Sequence, residues 1–119
     1  MSYFSHLEKR FLLKNIITER VLSWTVVPGT SVWNTNPTNP DATLMHQKNW
    51  NPDVYLPHTF QLLDAHVKKQ DQSYTIQKTR DGFLVSLQDA DNCVLCSIVD
   101  EDLPRAIFKL LKVAVMDTK

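Results

Sequence analysis

The sequence predicts an α+β fold in which a three- to four-stranded antiparallel meander is packed by about three helices, similar to an α/β/α sandwich. Three observations support this class: an amphipathic segment near the N-terminus, three short alternating segments between residues 73 and 99, and proline-containing helix starts on either side of them. With 119 residues the chain is long enough for a single domain, 1–119, with its own hydrophobic core.

The first helix is predicted over residues 5–23. Apolar side chains recur there at helical spacing and charged ones fill the remaining arc, so one face is expected to pack on the sheet. Ser5 and Glu8 have the spacing of a capping box, which would satisfy free N–H groups at the helix start. The predicted inward residues are Leu7, Phe11, Leu12, Ile16, Ile17, Val21 and Leu22.

Two further helices are predicted in the second half of the chain. The helix over residues 56–69 carries an apolar stripe with spacings of four, three and four, formed by Leu56, Phe60, Leu63 and Val67. The last helix begins after Asp100 or Asp102, either of which can act as its N-cap, with Pro104 in the first turn. Its predicted inward residues are Leu103, Ile107, Leu110, Leu111 and Ala114.

The strands are predicted from alternation with a period of two. Tyr74 and Ile76 share one face of the first strand, and Phe83, Val85 and Leu87 share one face of the second. Gly82 and Asn92 tolerate positive φ and are the expected turn residues. The third strand is apolar on both faces apart from Ser97, which favours a central strand or one covered by helices on both sides.

The two cysteines are expected to be structural. Cys93 and Cys96 lie three positions apart in the predicted third strand, and this odd spacing points them to opposite faces, so they cannot form a disulfide or share a metal. We interpret both as small buried apolar side chains.

Charge and hydropathy exclude several classes of partner. The 13 basic and 13 acidic side chains give no net field for duplex nucleic acid. No apolar run approaches the roughly 20 residues that span a bilayer, and the N-terminus lacks a signal-peptide pattern. A cytoplasmic location without membrane association is therefore expected.

Residues 25–55 are predicted to form a long ordered loop. The stretch has four prolines but few charges, and its aromatic content differs from that of disordered segments. Loops of this length are often binding loops, partner-contacting arms or unrecognised hairpins. Residues 24–27 and 43–48 are candidate short strands within it.

The loop supplies the predicted ligand-binding residues. Aromatic planes beside a cation suit stacking on a nucleobase or anchoring of a protein partner. The alternative is that Trp33 and Trp50 hold the loop on the sheet, because large aromatic side chains are usually buried. The candidate set is Trp33, His46, Lys48, Trp50, Tyr55 and His58.

The residue inventory favours binding over catalysis. Known hydrolase and phosphate-loop motifs are missing from the sequence, and two glycines cannot build a glycine-rich phosphate cradle. His58 and His66 lie two turns apart on one helix, which is poor geometry for a shared metal. We therefore predict no catalytic residue, no metal and no cofactor.

Three phrases carry a resemblance to a known family. They are Val21-Leu22-Ser23-Trp24 at the end of the first helix, Asn51-Pro52-Asp53 at the close of the loop, and Leu103-Pro104-Arg105-Ala106-Ile107 at the last helix start. In this order they resemble the phage alpha-beta-alpha sandwich domain of small phage and prophage proteins, over nearly the whole chain. The chain departs from that family where Leu103 is larger than usual, where Pro57-His58-Thr59 replaces a Ser-Thr-Asp helix start, and where Gln61, Leu62 and Leu63 replace alanines.

The resemblance implies a phage or prophage protein and defines no activity. Together with the loop composition it leads to a first hypothesis, a non-enzymatic accessory protein in the host cytosol. Such a protein would bind a host factor or a small host signal such as a defence-related nucleotide, as counter-defence sequestration. The alternatives are a small nucleotide-processing hydrolase and a structural interaction module of a phage assembly. A homo-oligomer is also expected, because the third strand and the loop leave apolar surface to be covered.

Overall fold

The computed structural model describes residues 6–35 and 44–116, which contain three helices and two three-stranded antiparallel sheets. This architecture confirms the predicted α+β class, with a meander packed by helices. The elements are α1 (His6–Leu22), β1 (Thr25–Val26), β2 (Val32–Asn34), β3 (Leu44–His46), a 3-10 turn (Gln47–Asn49), α2 (Leu56–Gln70), β4 (Ser73–Thr79), β5 (Gly82–Gln88), β6 (Val94–Asp100) and α3 (Leu103–Met116).

The larger sheet has the order β4-β5-β6. Val85 pairs with Ile76 on one side and with Ile98 on the other, so alternate residues of all three strands share an inner face. Gly82, the first residue of β5, has φ 132°, and Asn92 between β5 and β6 has φ 64°, so both residues predicted for the turns adopt positive φ. The inner face carries Tyr74, Ile76, Phe83, Val85, Leu87, Cys96 and Ile98.

Asp100, the last residue of β6, ties the sheet to α3. Its carboxylate accepts hydrogen bonds from Lys109 Nζ at 2.6 Å, from the Asp102 backbone N–H at 3.0 Å and from Arg105 Nε at 2.8 Å. These bonds, that from Lys109 above all, lower the pKa of Asp100 to about 2. Asp102 in turn accepts the Arg105 N–H, so it is the N-cap of α3 and Pro104 lies in the first turn, as predicted.

Helix α2 buries a line of side chains displaced from the predicted stripe. Leu56, Phe60 and Val67 pack on the core but stay half-exposed at its edge. Two of the four buried residues of α2, Thr59 and His66, are polar, so a pattern of apolar residues alone misplaces the centre of the buried face. The enclosed residues, at positions i, i+3, i+4 and i+7, are Thr59, Leu62, Leu63 and His66.

Helix α1 shows the same displacement. Its buried residues are Lys14, Ile17, Thr18 and Val21, whereas Leu12, which we predicted to point inward, is 44% exposed. Thr18 is tolerated in the core because its hydroxyl donates to the Lys14 carbonyl at 2.7 Å. The predicted capping box involves Ser5, which lies outside the described residues, as do the side chains of Leu7 and Phe11.

The expectation of a helix on both faces of the third strand is wrong. Strand β6 is an edge strand, and helices α2 and α3 contact the inner face of its sheet. On the outer face Val99 is 52% exposed, and within the described residues no helix covers it. The three described helices pack against one another on the inner side of the sheet.

The interpretation of both cysteines as buried is corrected for Cys93. Cys93 precedes β6 and is exposed, so strand alternation does not apply to it. Cys96 is half-buried on the inner face, where desolvation raises the pKa of its thiol. A register shift beside Gln88, opposite the start of β6, marks where regular pairing stops.

The segment predicted as a loop contains a small second sheet with the order β1-β2-β3. Strands β1 and β3 fall on the two stretches that the sequence allowed as strands, and β2 was not predicted. Strand β2 pairs Val32 with His46 and Trp33 with Met45. This sheet lies directly after α1 in the chain and leads through the 3-10 turn to α2.

Candidate functional site

Three tryptophans pack together in the hydrophobic core. Trp24 lies with its ring centroid 4.5 Å from that of Trp50 and 6.1 Å from that of Trp33. Trp33 and Trp50 have no exposed surface, and Trp24 is 6% exposed. Two of the six predicted ligand-binding residues are therefore core residues, whose ring faces are covered by protein.

Trp50 also makes a buried hydrogen bond. Its Nε1–H donates to Thr18 Oγ1 at 2.8 Å, and the Thr18 hydroxyl donates onward to the Lys14 carbonyl. These two hydrogen bonds connect the end of the predicted loop to the middle of α1. The burial and the bond support the structural role that the sequence left open as the alternative for both tryptophans.

His58 extends the tryptophan cluster toward the surface. Its ring centroid lies 4.5 Å from that of Trp50 and 4.6 Å from that of Tyr55, which meets it edge-on. His58 Nδ1 accepts the Asn51 backbone N–H at 3.1 Å, so the neutral ring is the form that fits. Desolvation lowers the pKa of His58, in agreement with that hydrogen bond.

The other three predicted residues are exposed. His46 ends β3 and its Nδ1 accepts the Lys48 backbone N–H at 3.2 Å, which caps the 3-10 turn. Tyr55, 52% exposed, immediately precedes α2. The fold thus brings Trp50, Tyr55 and His58 into ring contact, and the role of the six residues in binding stays a prediction.

A cavity that the sequence did not indicate lies where the three helices end. Its volume is about 540 Å³, within the range of roughly 300–1,000 Å³ typical of small-molecule sites. The C-terminal parts of α1, α2 and α3 form its walls together with β5 and β6. We call it the helix-end cavity, and it is lined by Arg20, Val21, His66, Lys69, Gln70, Gln72, Leu87, Leu95, Cys96, Val113, Ala114 and Val115.

Two cations lie in the cavity wall and are held there by main-chain oxygens. Arg20 Nη1 donates to the Val115 carbonyl at 3.2 Å, and Lys69 Nζ donates to the Arg20 carbonyl at 3.0 Å. Helix C-termini carry partial negative charge, which explains why both cations lie there. Because none of the lining residues is Asp or Glu, the positive charge is not neutralised by a carboxylate within the lining.

His66 forms part of the same wall and is 6% exposed. Desolvation lowers its pKa and the charge of Lys69 adds to that effect, while the carboxamide of Gln72 opposes it. Within the described residues His66 Nε2 and Gln72 Oε1 are both enclosed without a hydrogen-bond partner. The effect of Gln72 on the His66 pKa nevertheless places the two groups side by side, and buried polar atoms are rarely left unpaired, so a small shift pairs them with each other or with a bound group.

Metal binding and membrane insertion find no support among the described residues. Within residues 6–35 and 44–116, no three His, Cys, Asp or Glu side chains come together as a metal site would require. None of the described helices is both long enough and apolar enough to cross a bilayer.

Comparison with known proteins identifies a shared fold. No protein-family model matches the chain, and no curated protein matches it. Among solved structures, the chain is similar to a phage protein from Bacillus cereus ATCC 14579, known from a 2.0 Å crystal structure. The TM-score is 0.58 at 14% sequence identity, over 100% of this chain and 97% of that one. At this identity the likeness shows the fold alone.

Two desolvated histidines, His58 and His66, predict that the fold loses stability in acid. Both have pKa values lowered below 6.5, so the folded chain binds fewer protons than the unfolded chain as the pH falls below that value. Their contribution is fully present above pH 6.5 and is lost as the pH falls through the lowered pKa values. Thermal melting between pH 8 and pH 5 is expected to show a falling melting temperature.

A variant of His58 separates the contribution of this histidine to the pH dependence of stability from that of other titrating groups. In His58→Asn the amide oxygen can still accept the Asn51 N–H but does not titrate, so the slope of melting temperature against pH should be shallower. The matched control is His46→Asn, which replaces an exposed histidine that also accepts a backbone N–H through Nδ1. An unchanged slope in His58→Asn would contradict the assignment.

Proposed function

We propose that this chain is a non-enzymatic phage or prophage accessory protein that binds a small anionic host molecule in the helix-end cavity. Two observations support a phage origin. The fold is shared with the Bacillus cereus phage protein, and the order of sequence phrases resembles the phage alpha-beta-alpha sandwich domain. Counter-defence, by sequestration of the bound molecule in the host cytoplasm, is the role we assign to it.

The lining of the cavity carries the proposal. Arg20 and Lys69 supply positive charge with no carboxylate among the lining residues, and Leu87, Leu95 and Val113 supply an apolar wall. Ligand sites combine a mainly apolar surface with a few placed polar groups, and this cavity has that composition. The best-fitting ligand has an anionic group beside the two cations and an uncharged part against the apolar wall.

A defence-related nucleotide is the ligand class we put first. Its phosphate would bind at Arg20 and Lys69, where a guanidinium and an ammonium are already oriented by main-chain carbonyls. His66 and Gln72 offer an imidazole and a carboxamide for the heteroatoms of a base. Gln70, at the end of α2, adds a further amide to the same wall.

The pKa shifts of the cavity residues Cys96 and His66 favour ligand binding over catalysis. A nucleophilic cysteine needs a lowered pKa, whereas burial raises the pKa of the Cys96 thiol. Burial also lowers the pKa of His66, and no described hydrogen bond links it to the thiol. Sequestration requires only the fixed charges and the shape of the cavity.

The exposed part of the loop site suggests the second candidate, a protein-binding module. Tyr55 is 52% exposed beside His58, and Val54 next to it is 58% exposed. Aromatic side chains that are partly exposed are common at protein interfaces. A host protein, anchored by Tyr55 with His46 and Lys48 nearby in sequence, is the partner this surface would bind.

Released ligands identify which function applies. The protein is incubated with host cell extract and repurified, and the small molecules it releases are analysed by mass spectrometry. An intact phosphorylated nucleotide supports sequestration, and a chemically altered nucleotide supports the hydrolase alternative. An empty cavity with a co-purifying polypeptide supports the interaction module and overturns the ligand proposal.

Titration with a panel of mono-, di- and cyclic nucleotides tests the site. Lys69→Gln is expected to raise the Kd of any nucleotide that binds by about tenfold or more, because one charge-assisted contact is lost. Lys68→Gln is the matched control, since Lys68 is exposed on the same helix and does not line the cavity. Equal Kd values for the two variants would reject the helix-end cavity as the site.

A further inference from the structure

Strand β6 forms one edge of the larger sheet. Within residues 6–35 and 44–116 it pairs with β5 alone, and no other described backbone hydrogen bond involves residues 94–100. An edge strand presents unpaired N–H and C=O groups that can pair with another strand. Monomeric proteins protect such edges with charges, prolines, glycines or bulges.

The register shift opposite Gln88 is confined to the start of β6, and from Cys96 to Val99 the strand pairs regularly and has none of those protective side chains. Residues 94–99 read Val-Leu-Cys-Ser-Ile-Val, with no charge, proline or glycine. Val94, Leu95 and Val99 are 60%, 51% and 52% exposed, which are three of the largest exposures among apolar side chains. The sole acidic residue of β6, Asp100, accepts hydrogen bonds from Lys109 and Arg105 of the same chain.

The opposite edge of the sheet differs. Strand β4 reads Ser-Tyr-Thr-Ile-Gln-Lys-Thr, and its outward-facing side chains include Thr75 and Gln77. Lys78, near its end, lies 4.6 Å from the centre of the Phe83 ring. A lysine and a polar face are the features that keep an edge from associating.

We infer that β6 is the two-fold interface of a homodimer, in which two copies of the strand pair antiparallel about Ser97 and join the sheets of both protomers. A two-fold axis at Ser97 places Ser97 opposite the partner's Ser97 and Cys96 opposite the partner's Ile98. The Ser97 pair lies on the outer face, and residues 96 and 98 meet on the inner face. The strand is thus complementary to itself, apolar against apolar and hydroxyl against hydroxyl.

Two further observations favour a second copy as the occupant. Ser97 already shares a hydrogen bond of 2.8 Å with Ser86 across the outer face, so a row of hydroxyls continues to the edge. The chain has zero formal net charge, so two copies do not repel each other through net charge.

Charged substitutions of Ser97, the residue on the proposed two-fold axis, test the interface. In reducing buffer, light scattering at high micromolar concentration is expected to show the wild type at twice the chain mass. Ser97→Lys and Ser97→Asp each place like charges opposite each other and should raise the dimer Kd by at least about tenfold. An equimolar mixture of the two variants should restore the dimer, because the introduced lysine of one protomer then faces the introduced aspartate of its partner.

Thr75→Lys is the matched control. Thr75 lies in the same cross-strand row as Ser86 and Ser97 but on β4, at the far edge of the sheet, and it is exposed. This variant should remain dimeric. Circular dichroism melts of all three variants show whether any loss of the dimer comes from unfolding.

Disulfide capture supplies a second readout that tolerates weak association. Directly opposed residues in antiparallel strands have Cα atoms about 4.5–5.5 Å apart, which is within disulfide range. Ser97→Cys in a Cys93→Ser background should therefore form a covalent dimer on mild oxidation, and Thr75→Cys in that background should not. A monomeric wild type, a dimer that survives both Ser97 charges, a mixture that stays monomeric, or equal crosslinking at positions 75 and 97 would each overturn the inference.

Discussion

Replacement of Trp50 by alanine is expected to lower the free energy of unfolding by about 3–5 kcal/mol, the usual cost of removing a fully buried tryptophan. Trp50 has no exposed surface, and its ring packs on Trp24 and on His58. The substitution also removes the Nε1–H that donates to Thr18 in the core of α1. Urea unfolding followed by circular dichroism measures the loss.

Phenylalanine substitutions separate the hydrogen bond from the packing. Trp50→Phe removes the bond to Thr18, whereas Trp33→Phe removes no described hydrogen bond, because Trp33 Nε1 has no partner within the described residues. Both side chains are equally buried. Trp50→Phe is therefore expected to cost about 1 kcal/mol more than Trp33→Phe.

The same variants decide between the two roles considered for these tryptophans. If they are structural, melting temperature falls and the Kd of any bound nucleotide or partner stays unchanged while the protein is folded. A Trp50→Ala protein with wild-type stability and lost binding would show that the ring faces a ligand. That result would require the cluster to open, because the covered ring has no exposed surface in this structure.

Gly82→Ala is expected to cost about 3 kcal/mol or more of unfolding free energy. Gly82 has φ 132°, a conformation that side-chain-bearing residues rarely adopt. A Cβ atom there would lie 2.4 Å from the Asp100 carbonyl oxygen and 2.9 Å from Glu101 Cα. Neither backbone atom moves easily, because the Asp100 carboxylate binds Lys109 and Arg105 of α3 at this point.

Gly29→Ala provides the matched control for this prediction. Gly29 also has positive φ, at 76°, but a Cβ built there meets no atom within 4 Å. Only the backbone preference is lost, so the expected cost is about 1 kcal/mol. Parallel urea titrations that gave equal losses for the two variants would show that the close approach of Gly82 to Asp100 is unimportant.

The local sequence pattern was sufficient to predict the strands of the larger sheet and the start of α3. Alternation identified the inner face of β4 and β5, Gly82 and Asn92 marked the turns, and Asp102 with Pro104 marked the helix start. Each of these depends on residues close together in the sequence. The chemistry of such positions is the same in any surroundings, so a sequence pattern is enough to locate them.

Burial in the helices depended on hydrogen bonds that a pattern of apolar residues does not reveal. Thr18 and Thr59 are polar, and no periodicity of apolar residues places them in the core. They are buried because a hydroxyl there finds an acceptor: Thr18 the Lys14 carbonyl, and Thr59 the Pro52 carbonyl at 2.6 Å. The bond from Trp50 to Thr18 spans 32 positions, and sequence spacing carries no information about it.

By itself, the sequence determined the α+β class, the meander and its turns, and the start of the last helix. Only the tertiary structure decided that Trp33 and Trp50 are core residues, that β6 is an edge strand, and that Arg20, His66 and Lys69 line one cavity. The physical reason is that strand and helix patterns report which side of an element is apolar. Which elements meet, and where three helix ends converge, follows from packing of the whole chain.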